Sequence, residues 1–180
     1  MRIQKEDCAF VVIDIQERLF PHIQDKDFMA QKCATLIQGM QILELPVIVT
    51  EQYVKGLGQT IPMIQEAIDS YNPIEKMTFS CCGVGAFNLK IEEHYKENII
   101  ICGIESHVCV LQTALDLVEA GHKPIVVVDA VSSRNPLDKE IALDRMRQEG
   151  IRLTTVESIL FELCKSSGND TFKKISKLVK

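Results

Sequence analysis

The sequence predicts an α/β fold, a three-layer α/β/α sandwich around a central, mainly parallel six-stranded sheet. Four segments are continuously apolar and rich in β-branched residues, which is typical of parallel strands covered on both faces. Segments with helical periodicity alternate with these strands along the chain. Strand–helix alternation of this kind indicates right-handed crossover units that place helices on both faces of one sheet.

The predicted strands and helices cover most of the chain. The four strong strands are residues 8–13, 47–50, 98–102 and 124–128, and two weaker strands are residues 74–77 and 151–155. The predicted helices are residues 28–45, 62–69, 87–96, 108–120, 136–149, 156–163 and 171–179. Pro136 suits a first helical turn, and Gly121 and Gly150 suit positions just after a helix ends. No linker or repeat interrupts the pattern, so we expect one domain over residues 1–180.

The composition is that of an ordinary globular protein, with 46% hydrophobic and 25% charged residues. The net charge of −5 provides no basic surface for nucleic acid or for an anionic membrane, so we expect neither partner. The longest apolar runs are too short to span a bilayer, and charged residues between Arg2 and Asp7 break up the apolar stretch that a leader peptide needs, so we expect neither feature. The seven cysteines form no C-x-x-C pair, which favours a reducing compartment and a cytoplasmic location.

The residues that follow each strand are candidates for chemistry, because ligands of an open parallel sheet bind at the carboxyl ends of its strands. Asp14 directly follows a buried strand, and its carboxylate is either functional or part of a cap or salt bridge. Lys76 lies in a weaker strand, and by itself it is more typical of an ordinary solvated lysine.

Cys109 occupies the most informative position. It falls in the first turn of a predicted helix that begins where a buried strand ends. Free N–H groups and the positive end of the helix dipole favour a thiolate there and could hold an oxyanion. A buried structural cysteine is an equally good interpretation of the residues alone. We interpret the adjacent Cys81 and Cys82 as loop packing, with a redox pair as the alternative.

Motifs of several other enzyme classes are missing from the sequence. No G-x-G-x-x-G segment follows a strand, and neither a Walker sequence nor a G-x-S-x-G elbow is present. The four histidines stand at no spacing typical of metal ligands. We therefore expect neither a cofactor nor a catalytic metal.

Three segments, in order along the chain, resemble the isochorismatase-like cysteine hydrolases: VVIDIQ at residues 11–16, EK at 75–76 and GIESHVCV at 103–110. Four further segments are similar to the subgroup of isochorismatase domain-containing proteins: TEQY at residues 50–53, KGLG at 55–58, DAVSSR at 129–134 and FKKI at 172–175. The resemblance runs nearly from end to end of the chain. It implies a hydrolase of this α/β fold that forms homo-oligomers.

The resemblance also implies a catalytic role for Asp14, Lys76 and Cys109. Cys109 would attack a carbonyl carbon and form a thioester, Asp14 would act as general base and then acid, and Lys76 would favour the charged forms of both. The oxyanion would be held by the main-chain N–H groups of Cys109 and Glu105, with a cis peptide bond between residues 104 and 105. Candidates for lining the substrate pocket, by position alone, are Gln16, Phe20, Gln52, Tyr53, Phe79 and Ser106.

The sequence departs from metal-binding nicotinamidases, which carry Asp-x-His where this chain has Glu51-Gln52-Tyr53. This difference argues against nicotinamidase activity and against a catalytic metal. With Cys109 present, hydrolysis of a small-molecule substrate at an amide-like C–N bond is more natural than cleavage of a vinyl ether. Two alternatives stay open: a thiol-based redox or stress protein in which Cys109 is oxidised reversibly, and a non-catalytic scaffold of the same fold that binds a protein partner.

Overall fold

The structure is a computed structural model that describes residues 2–94 and 96–180. Its strands are β1 (Cys8–Ile13), β2 (Val47–Gln52), β3 (Ile74–Lys76), β4 (Asn98–Ile104), β5 (Lys123–Ser132) and β6 (Arg152–Thr154). They form one six-stranded sheet in the order β3-β2-β1-β4-β5-β6, and every pairing is parallel. Each predicted strand is present, and the predicted α/β fold is confirmed.

Helices pack on both faces of the sheet. They are α1 (Lys26–Ile42), α2 (Val54–Leu57), α3 (Pro62–Ala67), α4 (Gly85–His94), α5 (Leu111–Glu119), α6 (Pro136–Gln148), α7 (Val156–Cys164) and α8 (Asp170–Leu178). The sequence pattern does not predict α2, because its four residues are too few to show a period. In place of the predicted helix 108–120 the structure has two elements, a π-helical turn, Ser106–Val110, that begins two residues earlier, and α5 directly after it.

Two apolar cores lie on opposite faces of the sheet, and β1 contributes to both. Phe10 and Val12 belong to the core that contains residues of α1 and α7, whereas Val11 and Ile13 belong to the core that contains residues of α4 and α5. All residues of β1 are buried, which explains why this strand is apolar without alternation. In the part of the chain that the structure describes, no helix has the length and apolar character needed to cross a membrane.

The strand order places a topological switch point at the carboxyl end of β1. The chain leaves β1 for β2 on one side and reaches β4 on the other, and such a switch point is where open α/β sheets bind ligands. Ile13 pairs with Thr50 of β2 and with Gly103 of β4. Gly103 has a φ of +126°, and a Cβ atom there would lie 2.1 Å from the Ile13 carbonyl oxygen. Only glycine therefore allows the ends of β1 and β4 to approach this closely.

Candidate active site

Asp14 lies at the switch point, immediately after β1, and its side chain is buried. Its main chain is in the left-handed region, with φ 52°, a conformation that aspartate adopts more readily than most residues. The Lys76 Nζ atom lies 2.6 Å from Asp14 Oδ2, and the Thr50 hydroxyl donates to Asp14 Oδ1 at 2.7 Å. Both carboxylate oxygens are therefore held by donors from β2 and β3, the two strands on one side of β1.

Lys76 ends β3 and points into the protein. The ammonium group donates to the carbonyl oxygens of Thr78 at 3.1 Å and Phe79 at 2.9 Å, in addition to Asp14. An ammonium group has three N–H donors, so all of them are engaged. Taken alone, Lys76 is expected to be an ordinary solvated lysine, and this expectation is wrong. The strand alternation sends Glu75, rather than Lys76, toward solvent.

Burial and pairing act in opposite directions on the ion pair. Burial raises the pKa of the Asp14 carboxyl, and the charge of Lys76 with the Thr50 hydroxyl offsets part of that rise. Burial also lowers the pKa of Lys76, but the nearby Asp14 and Cys109 groups outweigh it, so the pKa of Lys76 is raised overall. Lys76 is therefore cationic at neutral pH, beside a carboxyl group whose proton affinity is increased.

Cys109 lies in the π-helical turn that follows β4, and only 4% of its surface is exposed. Its thiol donates to Gln52 Oε1 at 3.1 Å. Burial and the negative charge of Asp14 raise the pKa of Cys109, and Lys76 lowers it only in part. The sequence predicts a thiolate at this position, but the buried environment next to Asp14 favours the neutral thiol.

Gln52 is held in place by Gln16. The Gln16 amide nitrogen donates to the Gln52 carbonyl oxygen at 2.9 Å and to the Gly58 carbonyl oxygen at 2.7 Å. In return the Gln52 N–H donates to Gln16 Oε1 at 2.7 Å. Gln16 is completely buried, so its amide supports the end of β2 and the loop at Gly58. Gln52, in contrast, presents its own side-chain amide to the thiol.

Glu105 joins β4 to the π-helical turn. The peptide bond between Ile104 and Glu105 is cis. The Glu105 carbonyl oxygen accepts from the N–H groups of Val108 and Val110, and its carboxylate accepts from the Arg134 main-chain N–H at 3.1 Å and Nε at 3.0 Å. The backbone that carries Cys109 is therefore tied to the end of β5.

The remaining pocket candidates occupy different environments. Tyr53 and Phe79 are 44% and 52% exposed, and both contact Lys76 through their main chains. The Tyr53 N–H donates to the Lys76 carbonyl oxygen, and the Phe79 carbonyl oxygen accepts from the Lys76 ammonium group. Ser106 is buried in the π-helical turn, and its hydroxyl has no hydrogen-bond partner among the described residues. Phe20 packs against the core on the α1 side of the sheet, whereas Cys109 belongs to the opposite core.

Three further residues lie at the site although the sequence did not mark them as site residues. Thr50 contacts Asp14 directly, the Cys81 thiol lies 3.7 Å from Thr50 Oγ1, and the Cys81 N–H donates to Thr113 Oγ1 at 3.0 Å. Thr50 was detectable in principle, because it ends a predicted strand next to β1. Cys81 and Thr113 carry no sequence signal, since their contacts depend on how the loop after β3 packs against α5.

The described residues contain no group of three or more His, Cys, Asp or Glu side chains arranged to hold a metal ion. Glu51 stands at the position where metal-binding nicotinamidases begin their Asp-x-His motif. Its carboxylate accepts from the Thr60 N–H and hydroxyl groups and from the Tyr71 hydroxyl. Glu51 therefore anchors the loop that contains Thr60.

Known proteins resemble this chain over nearly its full length. A family model described as the isochorismatase domain matches residues 8–158. Isochorismatase domain-containing protein 2A of Mus musculus is 36% identical over 180 residues, which cover 99% of this chain and 85% of the mouse protein. The structure of MAR1 ribonuclease from Caenorhabditis elegans superposes with a TM-score of 0.94 at 40% identity, covering 99% of this chain and 92% of the other.

A bacterial structure is similar over the same share of this chain at lower sequence identity. The YcaC gene product from Escherichia coli, described as an octameric hydrolase of unknown specificity, superposes with a TM-score of 0.92 at 25% identity. The alignment covers 99% of this chain and 90% of that protein. The resemblance expected from the sequence motifs is confirmed, and the chain belongs to the isochorismatase-domain family of hydrolases.

Proposed function

We propose that this protein is a cysteine hydrolase of small amide-like substrates, in which Cys109 is the nucleophile, Asp14 the general base and acid, and Lys76 the electrostatic partner. One observation carries the proposal: a fully buried Lys76–Asp14 ion pair, 2.6 Å long, lies next to a buried cysteine thiol. Burying two charges costs free energy that a purely structural role would not require. Strongly perturbed pKa values of this kind are typical of functional sites.

The proposed reaction begins with proton transfer. Asp14 accepts the thiol proton of Cys109 while the sulfur forms a bond to the substrate carbonyl carbon. The tetrahedral intermediate collapses when Asp14 returns that proton to the leaving nitrogen, which departs as ammonia or an amine and leaves a thioester. Asp14 then takes a proton from water, the hydroxide attacks the thioester carbon, and Asp14 returns the proton to the departing sulfur. The products are a carboxylic acid and the restored thiol.

Lys76 contributes charge rather than a proton. Its three N–H groups are engaged by Asp14 and two carbonyl oxygens, so it stays in place as the negative charge moves between Asp14 and Cys109. For the oxyanion we propose the main-chain N–H groups of Cys109, within the π-helical turn, and of Glu105, directly before it.

Gln52 supports an amide as the substrate. In the resting site the Cys109 thiol donates to the carbonyl oxygen of the Gln52 carboxamide. When the thiol proton passes to Asp14, the Gln52 oxygen loses this donor. The released carboxamide can then accept a hydrogen bond from the substrate nitrogen. We propose that Tyr53, Phe79 and Ser106 complete the lining of the substrate pocket. Gln16 and Phe20 then support the residues of the pocket without contacting the substrate.

We further propose a cytoplasmic homo-oligomer. The similarity to an octameric bacterial hydrolase supports self-association, and the exposed Tyr53, Met77 and Phe79 side chains at the edge of the site offer apolar surface to another subunit. The seven cysteines are all free, which fits a reducing compartment. Light scattering after gel filtration measures the mass of the particle in solution. A monomeric mass would count against self-association.

The ribonuclease described from Caenorhabditis elegans raises RNA as a second candidate substrate. Two features favour the amide instead. The net charge is −5, and the cation at the centre of the site, Lys76, has no N–H group left for a phosphate.

The test is a substrate panel of small primary amides, activated esters and a structured RNA. Purified wild-type protein is assayed for ammonia or alcohol release and for RNA cleavage, with Cys109→Ser as the matched control. We expect turnover of at least one amide or ester that Cys109→Ser lacks, and no RNA cleavage above that of Cys109→Ser. RNA cleavage by the wild-type protein that is absent in Cys109→Ser would overturn the proposal. Thiol-reversible oxidation of Cys109 by dilute peroxide, without turnover of any panel member, would favour the redox alternative.

A further inference from the structure

The Asp14 carboxylate is connected to α5, the helix that follows Cys109, by a chain of hydrogen bonds that ends on the carboxylate oxygen that Lys76 does not contact. Thr113 lies on α5, four residues after Cys109, and its Oγ1 accepts from the Cys81 N–H at 3.0 Å. The Cys81 thiol reaches Thr50 Oγ1 at 3.7 Å, and Thr50 Oγ1 donates to Asp14 Oδ1 at 2.7 Å. We propose that Thr50 and Cys81 form a positioning relay that fixes the orientation of Asp14 relative to Cys109.

The direction of the relay follows from the donors and acceptors. An ionised carboxylate only accepts, so the single proton of the Thr50 hydroxyl must point to Asp14. The free lone pairs of that hydroxyl then face Cys81, whose S–H is a donor. Cys81 therefore prevents the hydroxyl from rotating away, and the links from Cys81 to Thr50 and from Thr50 to Asp14 both run toward the carboxylate. The Cys81 N–H donates separately to Thr113, which anchors Cys81 to α5.

Burial increases the energetic importance of each hydrogen bond in the relay. Thr50, Cys81 and Thr113 are all nearly or completely buried, so water cannot replace a missing partner. In such surroundings an unpaired polar group is costly, and consecutive hydrogen bonds strengthen one another. The relay also divides the carboxylate between two partners: Thr50 holds Oδ1 and Lys76 holds Oδ2.

The relay assigns different roles to two adjacent cysteines. Cys81 is buried within the relay, whereas Cys82 is partly exposed and its N–H donates to the Ser80 hydroxyl oxygen. Cys82 is therefore a matched control: the same residue type, one position away, without a link to Asp14. Burial raises the pKa of Cys81 to about 12, so it stays a neutral donor throughout the physiological range.

This inference rests on the proposed function, since positioning a base matters only if Asp14 acts as one, but its test needs no substrate. Protein labelled with ¹³C at the aspartate side-chain carboxyl is titrated by NMR. The Asp14 signal is identified by its absence in Asp14→Asn. The variants are Thr50→Val, Thr50→Ser, Cys81→Ala and Cys82→Ala.

Thr50→Val removes the donor to the charged form, so the Asp14 titration midpoint is expected to rise by about one pH unit. Thr50→Ser restores the hydroxyl and is expected to return the midpoint to within about 0.3 unit of wild type. Cys81→Ala gives a smaller rise in the same direction, and Cys82→Ala gives none. If Thr50→Val does not fold, the contrast between Cys81→Ala and Cys82→Ala still decides the question.

An unchanged midpoint in Thr50→Val, or equal shifts in Cys81→Ala and Cys82→Ala, would overturn the relay. Failure of the proposed function gives a different result. In that case Cys109→Ser keeps the turnover of the wild type, whatever the Asp14 titration shows.

Discussion

Lys76 Nζ lies 2.6 Å from Asp14 Oδ2, and solvent reaches neither side chain. The two residues are 62 positions apart in sequence and meet because β3, β2 and β1 are consecutive parallel strands whose carboxyl ends coincide. Each charge makes the burial of the other tolerable. The pair therefore has consequences for stability as well as for chemistry.

Lys76→Met is expected to destabilise the fold by about 3–5 kcal/mol, because it leaves Asp14 buried without a counter-charge. The free energy of unfolding in urea measures this. Lys90→Met is the control, since Lys90 and Glu93 form an exposed pair whose loss should change stability by less than about 1 kcal/mol. The double variant Asp14→Asn/Lys76→Met should recover part of the loss. Equal effects of Lys76→Met and Lys90→Met would contradict the buried pair.

Asp14→Asn is expected to separate thiol reactivity from catalysis. The carboxylate raises the pKa of Cys109, so its removal leaves the charge of Lys76 to favour the thiolate. Alkylation of Cys109 by iodoacetamide at pH 7 should become about tenfold faster for each unit by which its pKa falls. Turnover should nevertheless drop by about 10²–10⁴-fold, because the proposed general base is gone. Peptide mass spectrometry follows each thiol, with Cys82 as the internal reference; slower alkylation of Cys109 in Asp14→Asn would count against this arrangement.

Stability should decrease in alkaline solution. Thiols ionise near pH 9.0 in the unfolded chain, whereas burial raises the pKa of Cys8 and of Cys81 to about 12. Between these values the folded chain retains protons that the unfolded chain releases. The contribution of these thiols to the free energy of unfolding is therefore complete below pH 9 and is lost as the pH rises toward 12. The raised pKa of Lys76 acts in the same direction above 10.5.

Urea midpoints measured from pH 7 to 10.5 under reducing conditions check this expectation. The wild-type midpoint should fall above pH 9, and the fall should be shallower in Cys8→Ala and Cys81→Ala. A midpoint that stays constant across this range would show that the buried thiols titrate as they do in the unfolded chain.

Gly103→Ala is expected to destabilise the protein by roughly 3 kcal/mol or more, because the new Cβ would lie 2.1 Å from the Ile13 carbonyl oxygen at a φ of +126°. Gly85→Ala is the matched control. It begins α4, and a Cβ there meets no atom within 4 Å, so the change should stay within about 1 kcal/mol of wild type. Thermal unfolding compares the two variants, and a Gly103→Ala protein as stable as Gly85→Ala would refute the close approach of β1 and β4.

The sequence predicts the sheet well because its strands are buried on both faces, and continuous apolar runs such as residues 8–13 are a strong signal. The motifs around Asp14, Lys76 and Cys109 identify the family. Side-chain direction is harder to predict. Gln16 follows β1 as a pocket residue should, but its amide binds the main chain of Gln52. The contact between Cys81 and Thr50 depends on the path of a loop, which leaves no periodic pattern in the sequence.

The most direct test of Cys109 as the nucleophile is rapid-quench mass spectrometry during turnover of the best substrate from the panel. We expect an acyl group on the peptide that contains Cys109, formed within the first turnover and released by hydroxylamine as a thioester would be. Cys109→Ser should show neither the adduct nor turnover. Full wild-type turnover with no adduct at any time point, together with activity in Cys109→Ser, would contradict the proposed mechanism.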